Sequence, residues 1–358
     1  MKTVAILGVS GSIGRRAVEV VRRNPDLFKL VLVANAKDRA EIEKLKAEFK
    51  PKYAFCGDDV AIADPSVYSV ADIVVNGISG VAGLMPTVAV GTAGKVLATA
   101  NKEAVVSAGL LLNRLKTVHN STIIPVDSEH SAVFQCMCGE KSVPTKLILT
   151  ASGGAFRDMD KASLAKAKAQ DALRHPTWAM GRKVTVDSAT LMNKGFEVVE
   201  AKRLFGIENV EVIVHRESIV HALVEYTDGT QKAVLSNPDM AGPIQYAMTY
   251  PERRPTEVAP LRLQDVGKLT FMPADRAKFP CLAIGEGIRT DAEGAVVASA
   301  DEVLVKAYLA GKIGFYDIPK TIEKCLTRFA DAKVNCVSDV TEIYSDVTEY
   351  ITKGVKTC

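Results

Sequence analysis

Over the first 126 or so residues, short runs rich in β-branched side chains alternate with longer stretches whose apolar positions recur every three or four residues. Alternation of this kind predicts strands and amphipathic helices in turn, the pattern of a doubly wound parallel sheet. The strands fall at 4–7, 30–34, 53–56, 73–76, 96–100 and 123–126, with helices such as 13–23 and 39–49 between them, enough for one nucleotide-binding domain.

From Thr145 the texture changes. Runs at 147–150, 210–214 and 219–226 read as strands, separated by glycine-rich and polar loops and a helix over 188–205, a second α/β or α+β domain. Prolines at 243, 251, 255, 260, 273 and 280 mark an extended connection, because proline ends helices and interrupts sheets. Beyond them 295–310 and 319–329 carry apolar residues at helical spacing, a small helical bundle. The fold class read from the pattern is α/β, with a Rossmann-like N-terminal sheet, a central α/β (α+β) domain and a C-terminal helical bundle. The corresponding boundaries are 1–126, 127–251, a linker at 252–280, and 281–358.

A chain of 358 residues exceeds one ordinary core, which agrees with several domains. With 47% hydrophobic and 24% charged residues it has globular composition. Its 45 basic and 42 acidic residues are scattered and nearly cancel, which argues against a nucleic-acid partner and for a small anion at most. No apolar run reaches the roughly 18 residues of a membrane span. Strand-like residues directly after Lys2-Thr3 leave no room for a signal peptide, so no membrane association and a cytoplasmic location are expected. Seven cysteines without framework spacing (56, 136, 138, 281, 325, 336 and 358) fit a reducing compartment.

Candidate chemistry gathers in four places. Gly8, Gly11 and Gly14 follow a strand and open a helix, where backbone N–H groups face a pyrophosphate; the alternative is a plain glycine turn. After the second strand no acidic residue stands where NAD's ribose would need one. Lys37 and Arg39 flank the position instead and suit a 2′-phosphate, so NADP is preferred, unless they are a solvated helix start with Asp38 as its N-cap.

Asp127 and Glu129 close an apolar strand two positions apart, a spacing that extended geometry puts on one face. Such oxygen ligands suit Mg²⁺ or Mn²⁺, although a solvated surface pair reads the same way. Ser188, Asn193 and Lys194 beside a predicted helix N-terminus suit a phosphate, and Glu197 falls on the Asn193 face; a surface Lys194–Glu197 ion pair is the rival reading. Ser152-Gly153-Gly154 is an anion-binding turn in form. The segment around Trp178, the only tryptophan, is either a lid or a buried core contact. His215 and His221 read as sheet packing.

Gly8-x-x-Gly-Ser-Ile-Gly, Ala100-Asn-Lys-Glu103, Val126-Asp-Ser-Glu-His130, Ser152-Gly-Gly, His175-Pro-x-Trp-x-Met-Gly181 and Ser188-Ala-Thr-x-Met-Asn-Lys-Gly-x-Glu197, in this order, resemble the 1-deoxy-D-xylulose 5-phosphate reductoisomerase family over nearly the whole chain. The resemblance implies a homodimer whose central domain is catalytic and carries a flap near 174–183. It also implies rearrangement and NADPH reduction of 1-deoxy-D-xylulose 5-phosphate to 2-C-methyl-D-erythritol 4-phosphate, an early step toward isoprenoid precursors by the non-mevalonate route.

By position, the resemblance gives Asp127, Glu129 and Glu197 to a divalent cation: Mg²⁺ or Mn²⁺, with Co²⁺ a third option. It gives Ser152, Ser188, Asn193, Lys194 and His175 to the phosphate, and Lys102, Ser128 and Trp178 to the rest of the small sugar phosphate. Ser10, Gly11, Ser12, Ile13, Ala36, Lys37, Asp38, Asn101, Glu103 and Gly181 would line NADPH. Glu129, Lys102 and His175 are the candidate catalytic groups, with Glu129 moving the substrate proton. Departures from the family pattern include Val9, Ala151, Ala155 and 36–38, a short 57–70 segment, and Ser299 and Asp301 in the C-terminal helix. The rival readings are another two-domain NADP-dependent dehydrogenase, which would not need the three carboxylates, and a catalytically dead NADPH-binding sensor.

Overall fold

A computed structural model describes residues 1–57, 59–178 and 180–355, so Cys358 and Ala179 of the expected flap lie outside the described residues. The chain divides into two compact units. Met1–Ala104, Leu111–Phe134 and Asp239–Ala259 form one; Val105–Leu110, Gln135–Pro238 and the chain from Pro260 onward form the other.

The first unit carries the predicted sheet. Strands β1 (Lys2–Leu7), β2 (Phe28–Asn35), β3 (Tyr53–Cys56), β4 (Ile73–Asn76), β5 (Val96–Thr99) and β6 (Thr122–Pro125) are all parallel, in the order β3-β2-β1-β4-β5-β6. Side chains alternate across a strand, and β1 shows it. Val4 and Ile6 belong to the core beneath helices Ser12–Arg23 and Ala241–Thr249, while Ala5 and Leu7 join Tyr68, Ala89 and Val90 in a second apolar layer. A sheet covered on both faces explains why its strands are continuous apolar runs. Pro243 therefore stands inside a helix and not in an extended connection. Proline is tolerated there because an N–H of the first turn has no intrahelical acceptor.

In the second unit the sheet runs β10-β9-β7-β8-β11, with β7 (Lys146–Ala151), β8 (Val210–Val214), β9 (Val220–Glu225), β10 (Gln231–Leu235) and β11 (Met272–Pro273). Only the β7–β8 pair is parallel. β10 and β11 are strands beyond those the pattern predicted: β10 is mostly exposed and β11 has two residues, so neither shows a clear apolar alternation.

Helices Met192–Phe205 and Pro280–Gly287 meet at Gly195 and Gly285, where an added Cβ would lie 2.4–3.0 Å from the opposing Cα. Backbone rests on backbone there. Helix Asp291–Leu309 starts at a Thr290–Glu293 capping box and packs against Asp317–Arg328 and Val337–Val355, the predicted bundle with one more helix. Among the described residues no helix is long and apolar enough to cross a membrane.

Candidate active site

The nucleotide cleft of the first unit is shaped by side chains that are missing. Gly8 leaves β1 with φ +79°, a left-handed conformation that glycine adopts without penalty. A Cβ on Gly14 would sit 2.1 Å from the Gly8 carbonyl oxygen, so helix Ser12–Arg23 can approach the turn only with glycine there. Gly11 N–H donates to the Gly8 oxygen at 2.9 Å, closing the turn, and Ser10 Oγ bonds Asn35 Oδ1 at 3.0 Å across the cleft. Gly8, Ser10, Gly11, Asn35, Ala36 and Gly77 line it. Strand, turn and helix N-terminus thus suit a dinucleotide pyrophosphate.

Ser12 is exposed and Ile13 half-buried at the start of that helix; Lys37 and Arg39 are exposed after β2. Asp38 caps helix Arg39–Phe49 by accepting the Glu41 N–H at 3.0 Å, so the capping half of the rival reading holds for that residue. Asn101 is wholly buried. Its carbonyl accepts from Ala104 N–H and its amide donates to the Ile78 and Gly80 oxygens, which turns it into a staple for the loop after β4. Glu103 is buried in the next turn.

Asp127 and Glu129 are not two points on an extended strand. β6 stops at Pro125, and Ser128–Met137 is a helix, with Asp127 Oδ1 accepting the Glu129 N–H at 3.2 Å as a capping carboxylate does. Helix onset, not strand alternation, aims the pair. Lys102 Nζ stands 2.8 Å from Asp127 Oδ2, the buried His130 ring lies 3.3 Å from Oδ1, and Ser128 donates to Glu129 Oε2 at 2.8 Å. Burial alone would raise the Asp127 pKa; the Lys102 ammonium and His130 outweigh it and hold the carboxyl well below its ordinary range. His130, one helical turn after Asp127, is a neighbour that the sequence reading passed over.

The second unit gathers Ser152, His175 and Ser188. Here too a predicted element is corrected: the helix expected over 188–205 is two helices, Arg182–Thr190 and Met192–Phe205, broken at Leu191 with φ +60°. Ser188 therefore ends one helix while Asn193 and Lys194 begin the next. Gly153 and Gly154 have positive φ, and a Cβ on Gly154 would lie 2.3 Å from the Ser188 carbonyl oxygen, so the Ser152 turn lies against that helix end.

Between the two serines stands His175, its Nε2 3.1 Å from Ser152 Oγ and 3.0 Å from Ser188 Oγ. Its Nδ1 accepts the Thr177 and Trp178 N–H groups at 3.2 and 2.9 Å, which places the ring proton on Nε2, between the hydroxyls. Burial, followed by the positive charge of Arg157, lowers its pKa to about 4, so the ring is a neutral donor at pH 7. Trp178 is half-buried with its ring 6.3 Å from that of His221, a partly open position between the lid and core readings; Gly181 is exposed at the N-cap of Arg182–Thr190.

Asn193 and Lys194 both bond the Glu197 carboxylate, one to each oxygen. Lys194 is 5% and Glu197 1% exposed, so the pair is no solvated surface bridge. The sequence reading also missed Lys183, which joins two buried carboxylates, Asp187 at 2.7 Å and Asp301 at 2.8 Å; only the Lys183–Asp187 spacing of four was a visible signal. His215 accepts the Ile219 and Val220 N–H groups on Nε2, each at 3.1 Å, a packing role as expected.

Comparison with known proteins agrees across the chain. Residues 4–67 and 59–109 match the model of the 1-deoxy-D-xylulose 5-phosphate reductoisomerase family, and 123–205 and 235–350 match two models of reductoisomerase C-terminal domains. The 1-deoxy-D-xylulose 5-phosphate reductoisomerase of Geobacillus kaustophilus is 42% identical over 98% of this chain and 99% of its own length. That of Clostridium botulinum strain Loch Maree is 40% identical over 99% of each. A crystal structure of DOX-P reductoisomerase with NADPH, fosmidomycin and magnesium superposes with a TM-score of 0.92 at 33% identity, covering 99% of this chain and 98% of that one. The Zymomonas mobilis enzyme with NADPH gives 0.90 at 32% identity over the full length of both.

Proposed function

Since the chain belongs to the 1-deoxy-D-xylulose 5-phosphate reductoisomerase family, we propose that Asp127, Glu129 and Glu197 hold the divalent cation of an NADPH-dependent reductoisomerase. The enzyme rearranges 1-deoxy-D-xylulose 5-phosphate and reduces it to 2-C-methyl-D-erythritol 4-phosphate. Its cofactors are NADPH and magnesium. The observation that supports the ligand assignment is that the Asp127–Glu129 pair at a helix start of the first unit and the deeply buried Glu197 carboxylate of the second stand at the positions that the family resemblance gives to the cation. Hard oxygen donors in that number fit Mg²⁺ and leave positions for water and substrate.

NADPH fits the glycine turn of the first unit, whose glycines let helix Ser12–Arg23 close on the end of β1, and would supply the hydride. The cation, held by those carboxylates, would supply Lewis acidity to the substrate. The protein's own groups do the rest. Ser152, Ser188 and the neutral Nε2–H of His175 offer three donors to one phosphate, aided by Asn193 and Lys194. Lys102 and Ser128 orient the carbon chain. Glu129, which already accepts the Ser128 hydroxyl proton on Oε2, is the candidate to move a substrate proton. Trp178, with 174–177 before it and 180–183 after, would cover the reacting carbons against water.

The same proposal takes 1–126 as the NADPH domain, 127–251 as the catalytic and dimerisation domain, 252–280 as a linker and 281–358 as the helical domain. It includes a homodimer, a cytoplasmic setting, consistent with the free thiols of the described cysteines, and a place in isoprenoid precursor synthesis. Glu197→Gln tests the centre. Substrate-dependent loss of NADPH absorbance should disappear while NADPH affinity is kept, and an active variant would refute the ligand assignment. The dehydrogenase rival predicts activity without the trio, and the sensor predicts no NADPH oxidation in the parent enzyme.

A further inference from the structure

Strands β7 and β8 run parallel, and past their ladder the His215 N–H still reaches the Ala151 oxygen at 2.8 Å. The two chains then turn away, β7 into Ser152-Gly153-Gly154 and β8 into 215–218. Arg157 ties those turns together. Its Nη1 donates to the Ser152 carbonyl at 3.0 Å and to the Arg216 carbonyl at 3.4 Å. An added Cβ on Gly153 would lie 2.9 Å from Arg157 Cβ, so the turn needs glycine where the arginine crosses it. Lys278 Nζ in turn holds the Arg157 carbonyl at 2.8 Å.

The segment 175–177 bridges the same two turns by its side chains. His175 Nε2 reaches Ser152 Oγ at 3.1 Å, and Thr177 Oγ1 lies 3.3 Å from Ser218 Oγ. With the guanidinium, those two bonds close a triangle: loosen the third side, and one short segment can no longer keep both of its contacts. Charge points the same way. A guanidinium stays protonated at any working pH, and after burial the charge of Arg157 is the next cause of the lowered His175 pKa. A charge that disfavours a second cation on that ring favours an anion beside it. Asp158, whose carboxylate lies 3.6 Å from Arg157 Nε, is 64% exposed and also bound to Arg216, so water screens much of its opposing charge.

Resting on the reading of Ser152, His175 and Ser188 as the seat of the substrate phosphate, we propose that Arg157 is a positioning residue for that seat: it fixes the Ser152 turn against the 215–218 turn, so that the serine and histidine donors stay aimed at one phosphate, and it lends them a positive charge. It acts through these neighbours.

Steady-state kinetics of the full chain with NADPH, Mg²⁺ and the sugar phosphate test it, with inorganic phosphate as a competing probe. Arg157→Met should raise KM for the sugar phosphate about tenfold, the low end of what a hydrogen bond from a charged donor is worth, and weaken inhibition by inorganic phosphate alongside it. Over the same change kcat should stay within about threefold and NADPH affinity should be kept, the split expected when binding of one group is lost. Arg157→Lys, a shorter cation that still donates, should return KM to within about threefold of the parent. An arginine of purely structural value predicts a lower melting temperature with a parent-like KM. Should Arg157→Met fail to fold, Arg157→Gln takes its place in the comparison. A KM within about twofold of the parent in the folded neutral variant, or an Arg157→Lys enzyme as impaired as the neutral one, overturns the proposal. Ser152→Ala separates the two levels: a parent-like KM in that variant means that the phosphate seat itself has been misassigned.

Discussion

The glycine turn of the first unit and the Ser152–His175–Ser188 cluster of the second, the cradle proposed for the substrate phosphate, are built by opposite means. The turn works by omission. Gly8, Gly11 and Gly14 lie within seven residues, and backbone passes where side chains would otherwise stand. The cradle works by convergence, since Ser152, His175 and Ser188 come from three separate segments and meet through two hydrogen bonds to one ring nitrogen. Errors therefore propagate differently. A single added methyl breaks the first, whereas the second loses its parts one at a time.

Gly14→Ala should give the largest effect. With its Cβ 2.1 Å from the Gly8 oxygen, helix and turn must separate, and a loss of about 3 kcal/mol or more of stability is expected together with NADPH binding. Thermal unfolding and NADPH fluorescence titration check it; parent-like binding would show that the turn can open without cost.

His175→Gln comes next and reports on the cradle through pH. The folded-state pKa of about 4 lies below the ordinary histidine value near 6.5, so the unfolded chain takes up the proton first as pH falls. The neutral ring's contribution is thus intact above about pH 6.5 and is lost on the way down to about pH 4. Urea unfolding across that window should show a shallower loss for the variant than for the parent, and equal slopes would contradict the buried neutral ring.

Ser188→Ala should be the mildest of the three. One hydroxyl is lost and Ser152 still faces the ring, so KM for the sugar phosphate should rise about tenfold, the worth of a hydrogen bond to a charged group, with NADPH affinity unchanged. A KM within twofold of the parent would remove Ser188 from the phosphate site.

Legibility in the sequence follows the same division. Strand order around β1 and the glycine turn depend on residues close in the chain, and periodicity with glycine spacing exposes them. The carboxylate pair at 127 and 129 was visible as chemistry but misread as geometry: an aspartate followed by Ser-Glu-His is also a helix start, and Asp127 is used that way. The break at Leu191 had no local signal, because a branched side chain at positive φ is held only by its surroundings, among them the Thr190 hydroxyl that receives the Met192 N–H. Lys183, Asp187 and Asp301 were hidden for a plainer reason, as residues 114 positions apart in the case of Asp187 and Asp301 (301 − 187) become neighbours of one lysine only in the folded unit.

The contact between Gly195 and Gly285 reaches further than packing. Gly195 lies between Lys194 and Glu197 in sequence, and a helix seated backbone to backbone has no soft side chain to compress. The Glu197 carboxylate, proposed above as a ligand of the cation, consequently stands on an unyielding post, and a ligand that cannot shift discriminates ions by their radius. Magnesium bonds oxygen at about 2.0–2.1 Å and calcium at about 2.3–2.6 Å, so the larger ion should enter without supporting turnover. Substituting Ca²⁺ for Mg²⁺ in the NADPH assay reads that discrimination directly, and full activity with calcium would mean that the post gives way.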